Sequence, residues 1–380
     1  MGATLIDIAH IVSGLYSLIL ILVGTPLNLL CFYIYKCLAP NRSNPTIIVF
    51  SYLALIELLV PFTWNINYVV RELIWKYQNT ISIKNLEQHS LFHSLFVCKL
   101  ISYGAYFSLQ CAAWLKTLAT FARYVSLQHQ WSLNKWLSRP IIIHRVTWMV
   151  IFFIALINFP IWIVNGKSVS YKGEFNETRQ EIKCYQSNFF QFWEIAHLLL
   201  YNFIPFTLMI LSNISIIRQV KESRRRTRRS KANIQFSSNS NNSSSSSSRR
   251  GKSNDGGRLT KTLILITIFF IVFTSPSAIF YIFLGKRVKW HRNLITMSLS
   301  NLATTSHVTS FIIYWLTSSD FRDAAMSVLF CRQVMPRRIP TEEKQQDKPI
   351  SEKPILPPTT QPVDGDHRKL PLLQSSTANP

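Results

Sequence analysis

Three ionisable side chains, Glu57, Lys116 and His307, stand inside long apolar runs of this sequence. A charged group at the centre of a bilayer costs about 2.5–3.5 kcal/mol on insertion scales, so an isolated charge there is hard to sustain. Glu57 and Lys116 have opposite charges, and the long lysine side chain compensates for a difference in depth. We therefore predict a buried Glu57–Lys116 ion pair with His307 nearby, acting either as a static structural pair or as part of a switch.

No pattern in the sequence points to covalent chemistry. The chain has no HExxH zinc motif, no GxSxG nucleophile elbow and no phosphate-binding P-loop, and its cysteines and histidines do not follow the spacing of metal ligands. We therefore expect a protein that is not an enzyme and that holds no cofactor and no metal.

The elements that must position the three ionisable side chains are membrane-spanning helices. Of the 380 residues, 48% are hydrophobic, and the mean hydropathy is +0.15 despite a net charge of +23. Seven apolar runs reach the roughly 20 residues that a spanning helix needs, whereas the strands of a membrane β-barrel would be short and alternating. They lie near residues 10–35, 46–70, 95–124, 144–165, 192–219, 259–284 and 293–317. The sequence predicts an all-α polytopic membrane protein, a seven-helix transmembrane bundle.

The distribution of Lys and Arg predicts its orientation. With the N-terminus outside, the inner loops and tail carry 28 of the 41 Lys and Arg residues and the outer loops carry 12, with Lys116 inside a helix. Basic residues favour the cytoplasmic side and its anionic lipids, so the high pI does not require a nucleic-acid partner. We expect a multi-pass plasma-membrane protein whose N-terminus is extracellular.

Composition divides the chain into four parts. Residues 1–9 are predicted to be a short extracellular N-terminus, 10–318 the seven-helix domain, 319–331 a short amphipathic eighth helix on the inner surface, and 332–380 a disordered cytoplasmic tail. Within the helical domain, residues 221–258 are basic and then rich in Ser and Asn. Such a composition cannot bury a core, so we expect this third inner loop to be disordered.

Several landmarks across residues 10–331 together resemble the rhodopsin-like G-protein-coupled receptors. They follow the family's order and spacing across seven spans: Asn28, the LAxxE around Glu57, Cys98 with Cys184, Trp114, Arg123-Tyr124, Trp148, Pro160, Pro205, Pro276, Tyr314 and the SSDFR after the seventh run. The FIIYWLTSSDFR stretch and the Ser-rich third loop look most like invertebrate neuropeptide receptors of the FMRFamide-receptor kind.

The resemblance implies roles for residues at both ends of the bundle. Arg123, Tyr124 and Tyr314 would meet a heterotrimeric G protein at the cytoplasmic end, although Arg123 also fits a snorkelling anchor of its helix. Cys98 and Cys184 would form a disulfide that holds the second outer loop over the ligand pocket, in an oxidising compartment. Free thiols at both positions are the alternative.

The resemblance also places a ligand pocket in the outer third of the bundle. The candidate residues are Ala105, Tyr106, Gln110, His197, Tyr201, Tyr281, Ser300 and Thr304. Amine receptors resemble one another in carrying Asp at the position of Ala105, so a monoamine ligand is not expected. The basic third outer loop, with Lys286, Arg287, Lys289 and Arg292, would draw in a peptide carboxylate or another anion, unless it is simply a solvated loop.

The chain departs from the family pattern at several switch positions. Ala122 replaces the acid before the arginine, Thr274 replaces a tryptophan, and Phe311 replaces a proline. We hypothesise that Arg123 is weakly restrained and that basal signalling is raised; a decoy that binds ligand without coupling is the alternative.

The family's intramembrane polar network would here comprise Asn28, Glu57, Lys116, His307 and Ser310. In the family this region often holds sodium. Here the lysine would compete with that cation, and Ala112 stands where a hydroxyl would help. Sodium binding is therefore disfavoured.

Four residues are candidate modification sites. Asn176 opens an Asn-Glu-Thr sequon in the second outer loop, and Cys331 follows the amphipathic segment, where palmitoylation occurs. Thr227 and Ser230 stand in an Arg-rich run, and phosphorylation there would switch off the attraction of this run to membrane lipids. An unmodified linker is the default alternative. Kinases and arrestin are then expected partners at the third loop and tail.

The sequence thus predicts a G-protein-coupled receptor that binds an extracellular ligand, with a neuropeptide as the expected class. A non-coupling decoy or a divergent chemosensory receptor would have the same fold. A transporter or channel is the rival of another class, supported only by Glu57, Lys116 and His307, because internal repeats and glycine-broken helices are missing.

Overall fold

The computed structural model describes residues 2–37, 44–75, 94–128, 136–137, 139–172, 178–184, 189–237, 255–284, 287–288 and 291–330. The bounds of its helices and strands are as follows: α1 Gly2–Cys37; α2 Pro45–Val60, continued by Pro61–Asn65, Ile66–Val69 and Val70–Trp75; α3 Leu95–Leu127; α4 Pro140–Val164; β1 Lys167–Lys172; β2 Thr178–Lys183; α5 Phe189–Leu198, continued by Leu199–Phe203 and Ile204–Ser237; α6 Asp255–Ile279, continued by Phe280–Leu284; α7 Arg292–Val308 and Ser310–Thr317; α8 Ser319–Leu329.

Six of the described helices, α1 to α6, are long and apolar enough to cross a membrane. α7 is the seventh rod of the bundle. A turn at Thr309 divides it, and its first segment is rich in Ser, Thr and Asn, so it does not match the six others in length and hydropathy. Backbone hydrogen bonds from Thr309 N to Thr305 O and from Ile313 N to Thr309 O carry the chain across the turn. The predicted seven-helix, all-α architecture is confirmed.

α1 and α5 extend further than the sequence suggested. α1 begins at Gly2, so residues 2–9, predicted to be a short extracellular N-terminus, continue the first helix. A contact of 3.1 Å between His10 Nδ1 and Glu72 Oε2 ties this first part of α1 to α2.

At its other end, α5 continues to Ser237, into the stretch expected to be disordered from residue 221 onward. Arg is a strong helix former, and a Glu222–Arg226 pair at 2.6 Å, spaced i,i+4, supports the extension. α6 begins at Asp255, and residues 238–254 lie outside the described part of the chain.

α3 is the central helix and packs against α2, α4 and α5. Its buried positions include many small side chains, such as Ala105, Ala112, Ala113 and Ala119, and small residues let membrane helices approach closely. At Gly104 the approach to α2 is closest, because a Cβ there would lie 2.7 Å from Thr63 Cγ2. Because α3 packs closely against its neighbours, the charged side chain of Lys116 lies in the middle of the bundle.

The chain from α4 to α5 forms a two-stranded antiparallel hairpin, with Lys167 of β1 opposite Lys183 of β2. Gly166 makes the turn out of α4 with φ of +81°, a conformation that suits glycine. A Cβ at Gly166 would lie 2.7 Å from Leu95 Cδ1 and 3.2 Å from Cys98 Sγ. The hairpin is thus held close against the start of α3.

α8 caps the opposite end of the bundle. The Ser318 hydroxyl accepts a hydrogen bond from Phe321 N and begins the helix. Phe321 and Ala325 are buried, and Val328 packs against the core, as the predicted amphipathic face requires, while Leu329 is exposed. The helix ends at Leu329, and Cys331 lies outside the described residues.

Candidate functional site

An ion pair lies at the centre of the bundle. Lys116 Nζ on α3 is 2.8 Å from Glu57 Oε1 on α2, and both side chains are only 1% exposed. His307 on α7 is completely buried beside them, with Nδ1 3.3 Å from Glu57 Oε1 and 3.2 Å from Lys116 Nζ. The structure thus brings together the three residues that the sequence singled out.

His307 has a polar partner on each side of its ring. Nε2 lies 3.0 Å from the Tyr201 hydroxyl on α5. When Nδ1 carries the proton, it donates to Glu57, and Nε2 accepts from the tyrosine. When Nε2 carries the proton, it donates to Tyr201, and Nδ1 accepts from Lys116. The two tautomers therefore correspond to two different hydrogen-bond networks with the same heavy-atom positions.

Phe270 supplies the α6 side of this cluster. Lys116 Nζ lies 4.5 Å from the centroid of the Phe270 ring, at which distance a cation is attracted to the ring face. The ring also packs edge-on against Tyr201 and His307, with centroid separations of 5.6 and 5.8 Å. Five helices, α2, α3, α5, α6 and α7, therefore meet at one buried ion pair.

The other two proposed members of the polar network lie around this cluster. Asn28 on α1 touches it only through a backbone contact, with Nδ2 3.5 Å from His307 O. Ser310 is buried on α7, one turn beyond His307.

A cavity of about 1000 Å³ opens next to the cluster, towards the end of the bundle that carries the Cys98–Cys184 disulfide (the disulfide end). Six of the eight predicted pocket residues line it: Tyr106, His197, Tyr201, Tyr281, Ser300 and Thr304. Tyr201 belongs to both sites, because its ring lines the cavity while its hydroxyl meets His307. The cavity is therefore one hydrogen bond away from the central ion pair.

Ala105 and Gln110 are not among the residues that line the cavity. Both are fully buried on α3. Gln110 acts one layer behind the cavity wall: its Nε2 lies 3.1 Å from His197 Nδ1, and its Oε1 accepts a hydrogen bond of 2.7 Å from Asn158. The amide thus fixes the His197 ring, which stacks on Tyr201 at 5.2 Å.

Sequence reasoning missed several cavity residues, among them Trp64, Glu194 and Asn202, whereas Arg292, predicted to belong to the basic rim, does line the cavity. Glu194 and Arg292 carry opposite charges and lie close enough to interact electrostatically. The signal that identified Glu57, an acid inside an apolar run, was also present at Glu194.

At the end of the bundle opposite the disulfide, Arg123 and Tyr124 are partly buried at the end of α3. Tyr314 is 2% exposed and lies inside an aromatic cluster, with ring centroids 5.1 Å from Tyr35 and Phe50 and 5.5 Å from Phe321. These contacts place Tyr314 in the packing between α1, α2 and α8.

The three substituted switch positions, Thr274, Phe311 and Ala122, pack against neighbouring residues in the interior of the bundle. The Thr274 hydroxyl is buried and donates to Phe270 O at 2.6 Å. Phe311 stacks on Trp315 and packs edge-on against Phe321. Ala122 is 1% exposed within the main core.

Cys98 and Cys184 are bonded to each other and join the start of α3 to the end of β2. The predicted disulfide is therefore present, and the other predicted modification sites lie wholly or partly outside the described residues. Asn176 and Cys331 lie outside the described residues, and for Thr227 and Ser230 only the helical backbone of α5 is described.

A protein-family model described as 7 transmembrane receptor (rhodopsin family) matches residues 73–321, about two thirds of the chain. The matched region runs from the end of α2 into the start of α8 and includes the disulfide, two of the three central ionisable residues and every residue that lines the cavity except Trp64. No curated protein matches the sequence.

Proposed function

Because the chain belongs to the rhodopsin family of seven-transmembrane receptors, we propose that it is a G-protein-coupled receptor. A ligand binds in the cavity at the disulfide end, and a heterotrimeric G protein binds at the Arg123 end. The cavity volume of about 1000 Å³ and its mixture of aromatic and polar walls are typical of ligand sites.

One observation carries this proposal: Tyr201 connects the cavity to the central ion pair. Its ring lines the cavity, its hydroxyl lies 3.0 Å from His307 Nε2, and His307 contacts both Glu57 and Lys116. A ligand that forms a hydrogen bond with the Tyr201 hydroxyl would break the bond between this hydroxyl and His307 Nε2. The hydrogen bonding of His307 then changes. The change reaches α2, α3 and α7 directly, and α6 through the Phe270 ring.

In the proposed orientation the protein spans the plasma membrane, and the disulfide end faces the outside of the cell. The proposed ligand is a neuropeptide, since basic residues are exposed between α6 and α7 and at the start of α7. Arg287, His291 and Arg292 are exposed, Arg292 lines the cavity, and a smaller hollow of about 340 Å³ is lined by His10, His291 and Arg292. Such a rim attracts a peptide carboxylate. Lys286 and Lys289 lie outside the described residues.

At the Arg123 end, the proposed G-protein contacts are Arg123 and Tyr124. A guanidinium offers five donors for the carbonyls and carboxylate of a helix C-terminus. Tyr314 supports this surface from inside, through the aromatic cluster. Arrestin and kinases acting on the third loop and tail stay predictions.

The test is a screen of neuropeptides, each with an amidated and with a free C-terminus, against membranes that contain this chain and heterotrimeric G proteins, with guanine-nucleotide exchange as the readout. We expect one peptide class to accelerate exchange, and Arg123→Ala to abolish the acceleration at saturating peptide. Arg287→Ala, the same change at the opposite end, should leave the maximal rate intact.

Two outcomes would replace the proposal. Saturable peptide binding without exchange would identify a decoy. Uptake of labelled solute into vesicles, without any exchange, would identify a transporter.

A further inference from the structure

The cavity opens sideways, between α5 and α6, as well as towards the disulfide end. Its lining combines interior residues such as Leu109 and Ala303 with residues on the outer surface of the bundle. Phe192 and Ile195 on α5 are 68% and 62% exposed, and Ile282 on α6 is 43% exposed. A cavity wall that includes both kinds of residue indicates a gap between the two helices. We call this gap the α5–α6 window, bounded by Phe192, Ile195 and Phe203 on α5 and by Ser277, Ala278 and Ile282 on α6.

The backbones of both helices account for this gap. Widened π-helical turns occur at Leu199–Phe203 in α5 and at Phe280–Leu284 in α6, beside the window. Each turn is close to a proline, Pro205 in α5 and Pro276 in α6, and proline interrupts regular helical hydrogen bonding. Serine and alanine at positions 277 and 278 leave space on the α6 side. The opening therefore follows from the sequence of the two helices.

The window lies at the depth of hydrocarbon. α5 begins at Phe189, and the eleven steps from Phe192 to Phe203 span about 16 Å at ~1.5 Å per residue. One half of a hydrocarbon core about 30 Å thick covers this distance. The window thus faces the acyl chains of the leaflet at the disulfide end, and its apolar rim favours hydrocarbon over water.

The deep wall of the window carries a buried polar group, the Asn202 amide. Asn202 lines the cavity and is 5% exposed, and its Oδ1 has no hydrogen-bond partner among the described residues. A half-turn of the side chain exchanges the two ends of the amide, so either end can face the cavity. Buried amide groups are normally hydrogen-bonded, so this one indicates a polar group on whatever fills the window.

We infer that the α5–α6 window binds a long-chain amphiphile from the leaflet at the disulfide end. Its hydrocarbon chain passes between Ile195 and Ala278 to reach Leu109 and Ala303, and a hydroxyl or amide on that chain bonds to Asn202. Its head group stays near Glu194 and Arg292, which supply one charge of each sign. This lateral route enters the same cavity as the proposed peptide but does not pass through the basic mouth, and Arg292 lies at both entrances.

Photolabelling in lipid discs tests the inference without any G protein or peptide. The discs contain phosphatidylcholine with a diazirine in one acyl chain, either plain or with a hydroxyl on the same chain. After irradiation, labelled residues are located by mass spectrometry. We expect labels on the interior residues Leu109 or Ala303, about fivefold more with the hydroxylated chain, the ratio that one net hydrogen bond gives.

Four variants sharpen the test. Ala278→Trp should fill the window and remove the interior labels, and Ala278→Leu should reduce them if the tryptophan variant does not fold. Asn202→Leu should keep the labels and lose the preference for the hydroxylated chain. Phe152→Trp, at a membrane-facing position of α4 that is 63% exposed, is the matched control and should change neither.

Two results would overturn the inference. Labels confined to membrane-facing residues such as Phe192 would show that lipid only surrounds the bundle. Interior labels that persist in Ala278→Trp would show that the chain enters elsewhere. Neither result depends on whether the receptor couples to a G protein, so the proposed function stands or falls separately.

Discussion

Glu57 and Lys116 neutralise each other in surroundings that would accept neither charge alone. The pair is 1% exposed, and His307 and Phe270 contact the lysine ammonium from two further helices. Replacing a whole buried ion pair by apolar residues is often neutral for stability, whereas removing one partner leaves an uncompensated charge and costs about 3–5 kcal/mol. The energetic consequence of this pair therefore appears most clearly when only half of it is removed.

Lys116→Leu should destabilise the receptor by about 3–5 kcal/mol, because the Glu57 carboxylate then loses its cation. The measurement is thermal unfolding of purified receptor, together with the amount that reaches the cell surface. The double variant Lys116→Leu/Glu57→Leu should recover most of the loss. Lys99→Leu, near the start of the same helix, is the control. Unchanged folding and surface expression of Lys116→Leu would show that Glu57 does not rely on this partner.

Tyr201→Phe keeps the ring stacked on His197 and removes the hydroxyl that meets His307. We expect a loss of about 1–3 kcal/mol, since one buried His307 nitrogen is left without its partner. In a double-mutant cycle with His307→Leu, the two losses should be non-additive by at least about 0.5 kcal/mol.

The control is a second double-mutant cycle, which combines Tyr201→Phe with Tyr16→Phe. The Tyr16 hydroxyl lies 2.6 Å from Thr305 Oγ1 and has no partner in common with Tyr201, so these losses should add. Additivity in both cycles would mean that Tyr201 and His307 are not energetically coupled.

At the scale of elements, α3 lines the cavity, and the hairpin is attached to the start of α3. α3 brings Lys116 and Tyr106 inward because its small residues allow α2 and α4 to pack closely. The disulfide from Cys98 to Cys184 then fixes the end of β2 to the start of the same helix. The turn at Gly166 makes this attachment sterically feasible.

Gly166→Ala should destabilise the receptor by about 1–3 kcal/mol, because a non-glycine residue is strained at φ of +81°. The new Cβ would also lie 2.7 Å from Leu95 Cδ1. The midpoint of thermal unfolding should therefore fall. Ser168→Ala, at an exposed position of β1, gives the reference value. Equal midpoints for the two variants would mean that the turn relaxes without cost.

At the scale of the whole molecule, the number of spans decides the orientation of the termini. α1 to α6 cross the membrane by their length and hydropathy, and α7 completes an odd number of spans. An odd number places the two ends of the chain on opposite sides of the membrane.

Epitope tags placed before Met1 and after residue 340 should therefore be accessible from opposite sides of intact cells. We expect antibody to reach the first tag without permeabilisation and the second only after it. A tag inserted between residues 238 and 254 should behave like the second. Detection of both terminal tags on the same side would contradict a seven-span topology.

The sequence alone determined the class of molecule and the candidates for its centre. Run length is a local property, set by the ~1.5 Å rise of a helix and the thickness of the bilayer, so seven runs were enough to predict the bundle. Glu57, Lys116 and His307 were recognised because any ionisable residue inside such a run needs a partner. Hydropathy marks the membrane boundary and not the end of a helix, so it did not show that α1 begins at Gly2 or that α5 continues to Ser237.

Only the tertiary structure decided which side chains meet. Whether Tyr201 faces His307, and whether Gln110 lines the cavity or supports its wall, depends on how each helix is rotated about its axis. The α5–α6 window depends on π-helical turns and prolines in two helices that lie far apart in the chain. The rotation and bending of each helix are set by packing against neighbouring helices. The sequence of one helix does not specify which residues of the other helices pack against it.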